Sequence, residues 1–359
     1  MNLTLKIKLL PDAEQHSRLL STMRVFNQAC NHISELAFNT KTFSKFNLQK
    51  ACYYDVRAAY GLSSQMVVRA IGKVTESYKA DKKALHTFKD TGAMVFDDRI
   101  LSFKGLELAS MLTLDGRLEV PMMIAEYHRG MLMGRRVRGQ ADLILDSGIF
   151  YLMLVIELPD KPLFDAEKFI GVDMGIVNIA ADSTGETFSG SKVNNVRKRN
   201  AKLRAKLQSK GTKSAKRLLK KRSKKEKRFA KDVNHVISKR IVEKAKALGC
   251  GIALEDLKGI RTREKTVSKP QRQRLSSWSF YQLRQFIQYK AELNGVPVVL
   301  VDPRNTSREC PVCGYADKAN RVSRDDFVCQ SCGYAAHADY TAALNIESRA
   351  TVNLPNVGA

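Results

Sequence analysis

A chain of 359 residues that is 44% apolar is long enough for two or three packed units and too hydrophobic to be a disordered tail. Its 61 Lys and Arg against 36 Asp and Glu leave a net charge of +25, a self-repulsion that calls for a polyanionic partner, nucleic acid or an anionic membrane. The longest apolar run, Ile149 to Ile156, has 8 residues, too few to span a bilayer, and Met1 to Pro11 lacks the apolar stretch and cleavage site of a signal peptide. The expected setting is therefore the cytoplasm, with nucleic acid and no membrane.

Met1 to Leu10 alternates in the manner of a strand, and Pro11-Asp12 opens helical periodicity that runs to about His86. Within it Met66, Val67, Ala70, Ile71, Val74 and Tyr78 fall three and four apart, as a packing face does. Short β-type runs return between Ala93 and Pro159. The clearest are Ala141 to Leu145 and Ile149 to Leu158 around Asp146-Ser147-Gly148, a hairpin pattern within a small β-barrel or sheet. Pro159 and Pro162 then mark a domain boundary.

Phe169 to Val172 reads as a strand ending in Asp173, and Gly175 to Ala181 as a second strand closed by a turn at Asp182 to Gly185. From Arg197 to Lys231 there are 18 Lys or Arg and one acid, Glu226. On composition alone such a run is as often a solvated face as a binding one. Leu203, Leu207, Leu218 and Leu219 inside it, and Phe229, Val233, Val236, Ile237, Ile241, Ala245 and Leu248 after it, instead predict a helical hairpin turning at Gly211, Thr212 and Lys213. Its candidate backbone-binding cations are Arg197, Lys198, Arg199, Arg217, Lys220, Lys221, Arg222, Lys224 and Lys225, which would neutralise phosphates without reading bases.

Gly251 to Leu254 forms a further strand ending in Glu255. Ser279 and Gln282 make a capping box for a helix that ends near Gly295, and Val296 to Val301 is another strand. Strands and helices now alternate as in α/β folds. Trp278, Phe280, Tyr281, Phe286 and Tyr289 could stack on bases, but Leu275, Leu283, Phe286 and Ile287 share a face suited to the core.

Cys310-Pro311-Val312-Cys313-Gly314 and Cys329-Gln330-Ser331-Cys332-Gly333 are matched knuckles 15 residues apart, the spacing of a tetrahedral thiolate site. The two-residue gap aims both sulfurs of a pair at one metal, and the following glycine permits the left-handed backbone the turn needs. Zinc is favoured, with iron and a redox pair as alternatives. Four filled positions make it one structural zinc, not a catalytic one. Cys30, Cys52 and Cys250 sit among apolar neighbours as packing residues.

Asp173, Glu255 and Asp339 occupy positions suited to metal-ion phosphoryl chemistry, although each alone could be a turn or cap residue. Their contexts, Gly171-Val172-Asp173-Met174-Gly175, Ala253-Leu254-Glu255-Asp256-Leu257 and Ala338-Asp339 followed by Ala342-Ala343-Leu344-Asn345-Ile346, resemble in order the three RuvC nuclease motifs. With the lysine-rich insert between the first two and the cysteine knuckles between the last two, the chain resembles the transposon-encoded RNA-guided nuclease family TnpB, relatives of the type V CRISPR effectors. Ser277-Trp278-Ser279-Phe280, Leu283, Tyr289-Lys290 and Thr306-Ser307 add to the likeness, which is dense from Phe169 to Ile346 and rests on layout before it. Thr341 departs from the family, which usually has asparagine there.

The resemblance implies an α/β RNase H-like (RuvC) nuclease domain over residues 166–306 and 335–359, with a basic helical insert at about 195–248 and a zinc ribbon at 307–334. An N-terminal wedge-like β-barrel would comprise 1–10 and 91–165 and carry a helical recognition insertion at 11–90. It further implies an RNA-guided DNA endonuclease in which Asp173, Glu255 and Asp339 bind two Mg²⁺ or Mn²⁺ ions roughly 3.5 to 4 Å apart, with Arg324 either a stabiliser of phosphate charge or a plain surface arginine. The implied partners are a guide RNA from the transposon end, target DNA with a short adjacent motif and a companion transposase. The protein would be a monomer or weak dimer on RNA, associated with a prokaryotic nucleoid. The alternative reading is an RNA-guided transcriptional repressor with weak or no cleavage, and a second is a ribosomal-type RNA-binding protein, which would need no acids.

Overall fold

The computed structural model describes residues 1–135, 137–175, 177–256 and 280–352. Leu257, Leu275, Ser277, Trp278 and Ser279, together with the Phe280 side chain, lie outside the described residues. The chain forms two compact units, Met1–Pro159 and Asp160–Ala359.

In the first unit β1 (Asn2–Leu9) leads into α1 (Ala13–Thr40), α2 (Lys45–Tyr60) and α3 (Ser64–Ala80). A capping box starts α1: the Gln15 amide donates to Asp12 Oδ1 at 2.8 Å and the Asp12 amide to Gln15 Oε1 at 3.1 Å. The helical periodicity to His86 is thus three helices, broken where Lys41 (φ 54°) and Gly61 (φ 60°) turn left-handed. The three pack on one another, and Phe26, Ile33, Val56, Met66, Ile71 and Tyr78 are all fully buried.

The strands β2 (Met94–Asp97), β3 (Leu101–Lys104), β4 (Leu108–Thr113) and β5 (Gly116–Met123) follow, then α4 (Glu126–Leu132), β6 (Val137–Asp146) and β7 (Ile149–Glu157). With β1 they form a seven-stranded antiparallel sheet in the order β2-β6-β7-β1-β5-β4-β3. Its edge strands β2 and β3 are consecutive in sequence and joined through the three residues Asp98 to Ile100. The sheet therefore curls until its edges nearly close, which protects both from stray pairing. Ser147 (φ 59°) and Gly148 (φ 82°) form the two-residue turn that joins β6 to β7.

The second unit comprises β8 (Phe169–Asp173), β9 (Asn178–Asp182), β10 (Thr187–Ser189), α5 (Ser191–Lys210), α6 (Lys213–Ala247), β11 (Gly251–Glu255), α7 (Phe280–Asn294) and β12 (Val298–Val301). After them come the short strands β13 (Asp326–Val328) and β14 (Ala335–His337), then α8 (Ala338–Val352). The main sheet runs β10-β9-β8-β11-β12, with β10, β9 and β8 antiparallel and β8, β11 and β12 parallel.

The period of two along its strands divides the core. Ile170, Val172, Ile252 and Leu254 face Ile237, Ile241, Val242 and Ala245 of α6 and Leu283, Ile287 and Ala291 of α7. Phe169, Ala253 and Val301 face Ile346 and Ala350 of α8 on the other side. Each fully buried aliphatic contributes about 1.5–3 kcal/mol, enough in sum to hold helices on both faces. Gly171 lies under α8, where a Cβ would stand 2.1 Å from the Ala343 carbonyl oxygen and 2.5 Å from the Glu347 amide. Only glycine lets the helix backbone approach this closely.

In α5 and α6 the turn falls at Gly211 (φ 64°), and the Thr212 hydroxyl caps α6 by accepting from the Ala215 amide at 3.2 Å. Glu226 faces Arg204 across the hairpin at 3.1 Å, so the one acid of the basic run is neutralised within it. Among the described residues no helix is long and apolar enough to cross a membrane.

Candidate active site and metal centre

The same alternation that builds the core places the acids. Asp173 ends β8 on the face of Phe169 and Gly171, and Glu255 ends β11 on the face of Ala253. These strands are parallel with Val172 opposite Leu254, so the two acids stand at adjacent strand ends. Asp339 lies in the first turn of α8, the helix that covers this face.

Burial, followed by the negative charges of Glu255 and Asp339, pushes the Asp173 carboxyl up to about 8, against the pull of the Arg321 guanidinium and the Met174 amide. Burial likewise raises Glu255, opposed by the Thr306 hydroxyl, which donates to Glu255 Oε1 at 2.6 Å, and by the charge of Arg349. Asp339 Oδ2 accepts from Asn178 Nδ2 at 2.9 Å. Asp173 thus stands under the charges of two further carboxylates, an all-oxygen donor set of the kind a hard divalent cation takes.

The guanidinium whose charge acts on Asp173 is Arg321. Arg324, singled out in the sequence, is not among the groups acting on that carboxyl; its backbone carbonyl accepts from Arg321 Nη2 at 2.9 Å. Periodicity offers no means of choosing between two arginines three apart in a loop. Thr341 is fully buried and returns its hydroxyl to the His337 carbonyl at 3.2 Å, while the amide that steadies Asp339 comes from Asn178 on β9.

The sulfurs of Cys310, Cys313, Cys329 and Cys332 all lie within 4.8 Å of one another, with Cys310–Cys332 at 3.6 Å and Cys313–Cys329 at 3.5 Å. Tetrahedral zinc with bonds of about 2.3 Å needs sulfurs about 3.8 Å apart, so the cluster could hold a metal such as zinc. Each knuckle is closed by the same pair of bonds, one of them from the first cysteine's amide to the Tyr315 or Tyr334 carbonyl at 3.0 or 2.8 Å. Gly314 and Gly333 donate to the Cys310 and Cys329 carbonyls at 2.9 and 3.0 Å, and both glycines are left-handed (φ 72° and 74°). Buried Asn320 joins the halves, donating to the Arg308 and Tyr315 carbonyls and accepting from the Gln330 amide. No spacing rule points to it.

Of the basic candidates, Lys198, Arg199, Arg217, Lys220, Lys221, Arg222 and Lys225 are exposed on α5 and α6, and Lys224 is half-buried. Arg197 is half-buried too, where desolvation lowers its pKa and the charge of Glu226 opposes that. On α7 Leu283 and Ile287 are buried, Tyr281 is exposed, and Phe286 stacks on His235 at 3.9 Å.

A probable-transposase family model of the IS605 OrfB type matches residues 153–261, and a Cas12f1-like TNB domain model matches residues 280–346. The CRISPR-associated endodeoxyribonuclease Cas12f1 of Sulfoacidibacillus thermotolerans is 27% identical over 346 residues, covering 84% of this chain and 80% of that protein. The TnpB-like protein MJ0751 of Methanocaldococcus jannaschii is 36% identical over 152 residues, covering 42% of this chain and 54% of that one. The chain thus spans four fifths of the first relative and about half of the second. Among solved structures, the protein in a Cas12f1-sgRNA-target DNA complex shares the fold, with a TM-score of 0.64 over 97% of this chain and 98% of that one at 14% identity. Matched by one model across Asp173 and Glu255 and by the other across Asp339, the chain is similar to the TnpB-like proteins and to the Cas12f1 endodeoxyribonucleases.

Proposed function

We propose that this chain is an RNA-guided DNA endonuclease of a transposable element, cutting target DNA by metal-dependent phosphodiester hydrolysis at Asp173, Glu255 and Asp339. The observation that carries the reading is the half-buried Asp173, whose carboxyl is pushed up to about 8 by desolvation and by the charges of Glu255 and Asp339. Such mutual opposition costs stability and is relieved by a bound cation, which is why perturbed acids mark functional sites. In support, the Cas12f1 relative is named an endodeoxyribonuclease, and the protein of like fold was solved with guide RNA and target DNA.

In this reading the five-stranded unit is the RNase H-like RuvC domain and the cysteine cluster is its zinc ribbon. The curled sheet is the wedge barrel, and α1 to α3 are its recognition insertion. Asp173, Glu255 and Asp339 would hold a pair of Mg²⁺ or Mn²⁺ ions, which when bound activate water and stabilise the leaving oxygen. Asn178 fixes the Asp339 carboxylate, and Arg321 takes the phosphate-stabilising role for which the sequence offered Arg324. The exposed cations of α5 and α6 grip backbone phosphates of a guide–target duplex whose sequence is read by base pairing. The setting is the prokaryotic cytoplasm and its nucleoid, with a guide from the transposon end and a companion transposase.

The test is purification with co-expressed transposon-end RNA, followed by Mg²⁺-dependent cleavage of DNA that matches the guide. Cutting that follows a reprogrammed guide and is lost in Glu255→Gln supports the nuclease. Guide-dependent binding with no cutting by wild type would replace it with the repressor.

A further inference from the structure

Thr306 precedes the first knuckle by four residues and belongs to no strand or helix, yet it is one of the few buried polar residues of its unit, 3% exposed. Its hydroxyl donates to Glu255 Oε1 at 2.6 Å. The loop carrying it is held from α8 at several points. Buried Asn345 donates to the Thr306 and Glu309 carbonyls at 2.8 and 2.7 Å, and Arg349 donates to the Asp302 and Arg304 carbonyls at 2.8 and 2.6 Å and pairs with the Glu309 carboxylate. Four carbonyls of a loop that makes no sheet are thereby fixed by two side chains of the helix that also carries Asp339. The loop runs directly into Cys310, so its far end is pinned by the cysteine cluster.

We infer that Thr306 is a positioning residue for Glu255: its hydroxyl holds one carboxylate oxygen, and so the side chain's rotamer, leaving the other oxygen to face the acid centre. A flexible glutamate would otherwise have to be ordered by the cation itself, at a cost in affinity. The bracket from Asn345 and Arg349 fixes the hydroxyl relative to Asp339, so two of the three acids are set by one helix. This inference rests on the nuclease reading of the acid centre.

The test compares Thr306→Val, which keeps the shape and removes the hydroxyl, with Thr306→Ser, which keeps the hydroxyl. Mn²⁺ affinity of the purified protein is read by electron paramagnetic resonance, and the Mg²⁺ concentration for half-maximal cleavage is read on guided DNA. The valine variant is expected to weaken Mn²⁺ binding and raise the Mg²⁺ requirement by about 10-fold or more, with serine restoring both to near wild type. Wild-type affinity and Mg²⁺ dependence in the valine variant would overturn the inference. So would loss of the fold in both Thr306→Val and Thr306→Ala with serine intact, because the hydroxyl would then serve the structure and not the acid. Glu255→Gln is measured alongside: full cleavage there would sink the nuclease reading itself, whereas cleavage lost in Glu255→Gln but unchanged in Thr306→Val sinks only this inference.

Discussion

At the four cysteines the surrounding backbone supports what the sulfurs are doing: two left-handed glycines close the knuckles, and Asn320 ties them together. At the ends of β8 and β11 the surroundings do the reverse. Burial and two like charges press on Asp173, and among the described residues the Arg321 charge and the Met174 amide answer them. The cysteine cluster is a site whose geometry is complete with four ligands, while the acid centre is a site whose balance requires something more. On the proposed reading, that contrast is the one between a structural metal and a catalytic one.

The largest expected effect breaks the acid side of the contrast. Asp173→Asn should lower cleavage by at least about 10²-fold, measured on matched DNA at saturating guide, while leaving guide binding intact. Its effect on stability should have the opposite sign. A carboxyl at about 8 in the fold and about 4 when unfolded takes up a proton on folding between those values, so its contribution to metal-free stability is full below pH 4 and falls as pH rises to 8. The slope is at most about 1.4 kcal/mol per pH unit. Urea melts between pH 5 and 8 should show this decline in wild type and a shallower one in Asp173→Asn.

The cysteine side should fail differently. Cys310→Ser is expected to lose the bound metal, measured by elemental analysis, and to lower melting temperature and cleavage together, with no gain at any pH. Gly171→Ala tests the close approach of α8 to the sheet. With its Cβ 2.1 Å from a helix carbonyl, it should cost about 1–3 kcal/mol or more in urea melts and weaken divalent-cation binding with it. The smallest effect lies on the exposed cations of α5 and α6. Neutralising Lys220, Lys221, Lys225 and Arg217 to Gln should weaken binding evenly across target sequences and flatten its salt dependence by up to about 0.9 for each phosphate no longer neutralised, read by filter binding from 50 to 200 mM salt.

What could be read in the sequence was what local periodicity or fixed spacing encodes. Alternation along Phe169 to Asp173 and Gly251 to Glu255 determines which face each acid shares, and the paired cysteine spacing determines the four-sulfur cluster. The supports of those residues were not legible. Asn178, Thr306 and Asn320 act through partners distant in sequence, and Arg321 differs from Arg324 only by the path of a loop. The single helical stretch to His86 concealed two breaks, one of them at Lys41, a residue that rarely turns left-handed and gives no warning of it. Between Ala93 and Pro159 the strands are short, β2 and β3 four residues each, so alternation could suggest a sheet or barrel but could not order its seven strands.

The most direct measurement is a Mg²⁺ titration of the melting temperature at pH 8 for wild type and Asp173→Asn. Wild type should start lower and climb as Mg²⁺ relieves the opposed carboxylates, while Asp173→Asn should start higher and respond weakly. Parallel curves, or a wild type indifferent to Mg²⁺, would contradict the assignment of these three acids as a cation-dependent catalytic centre.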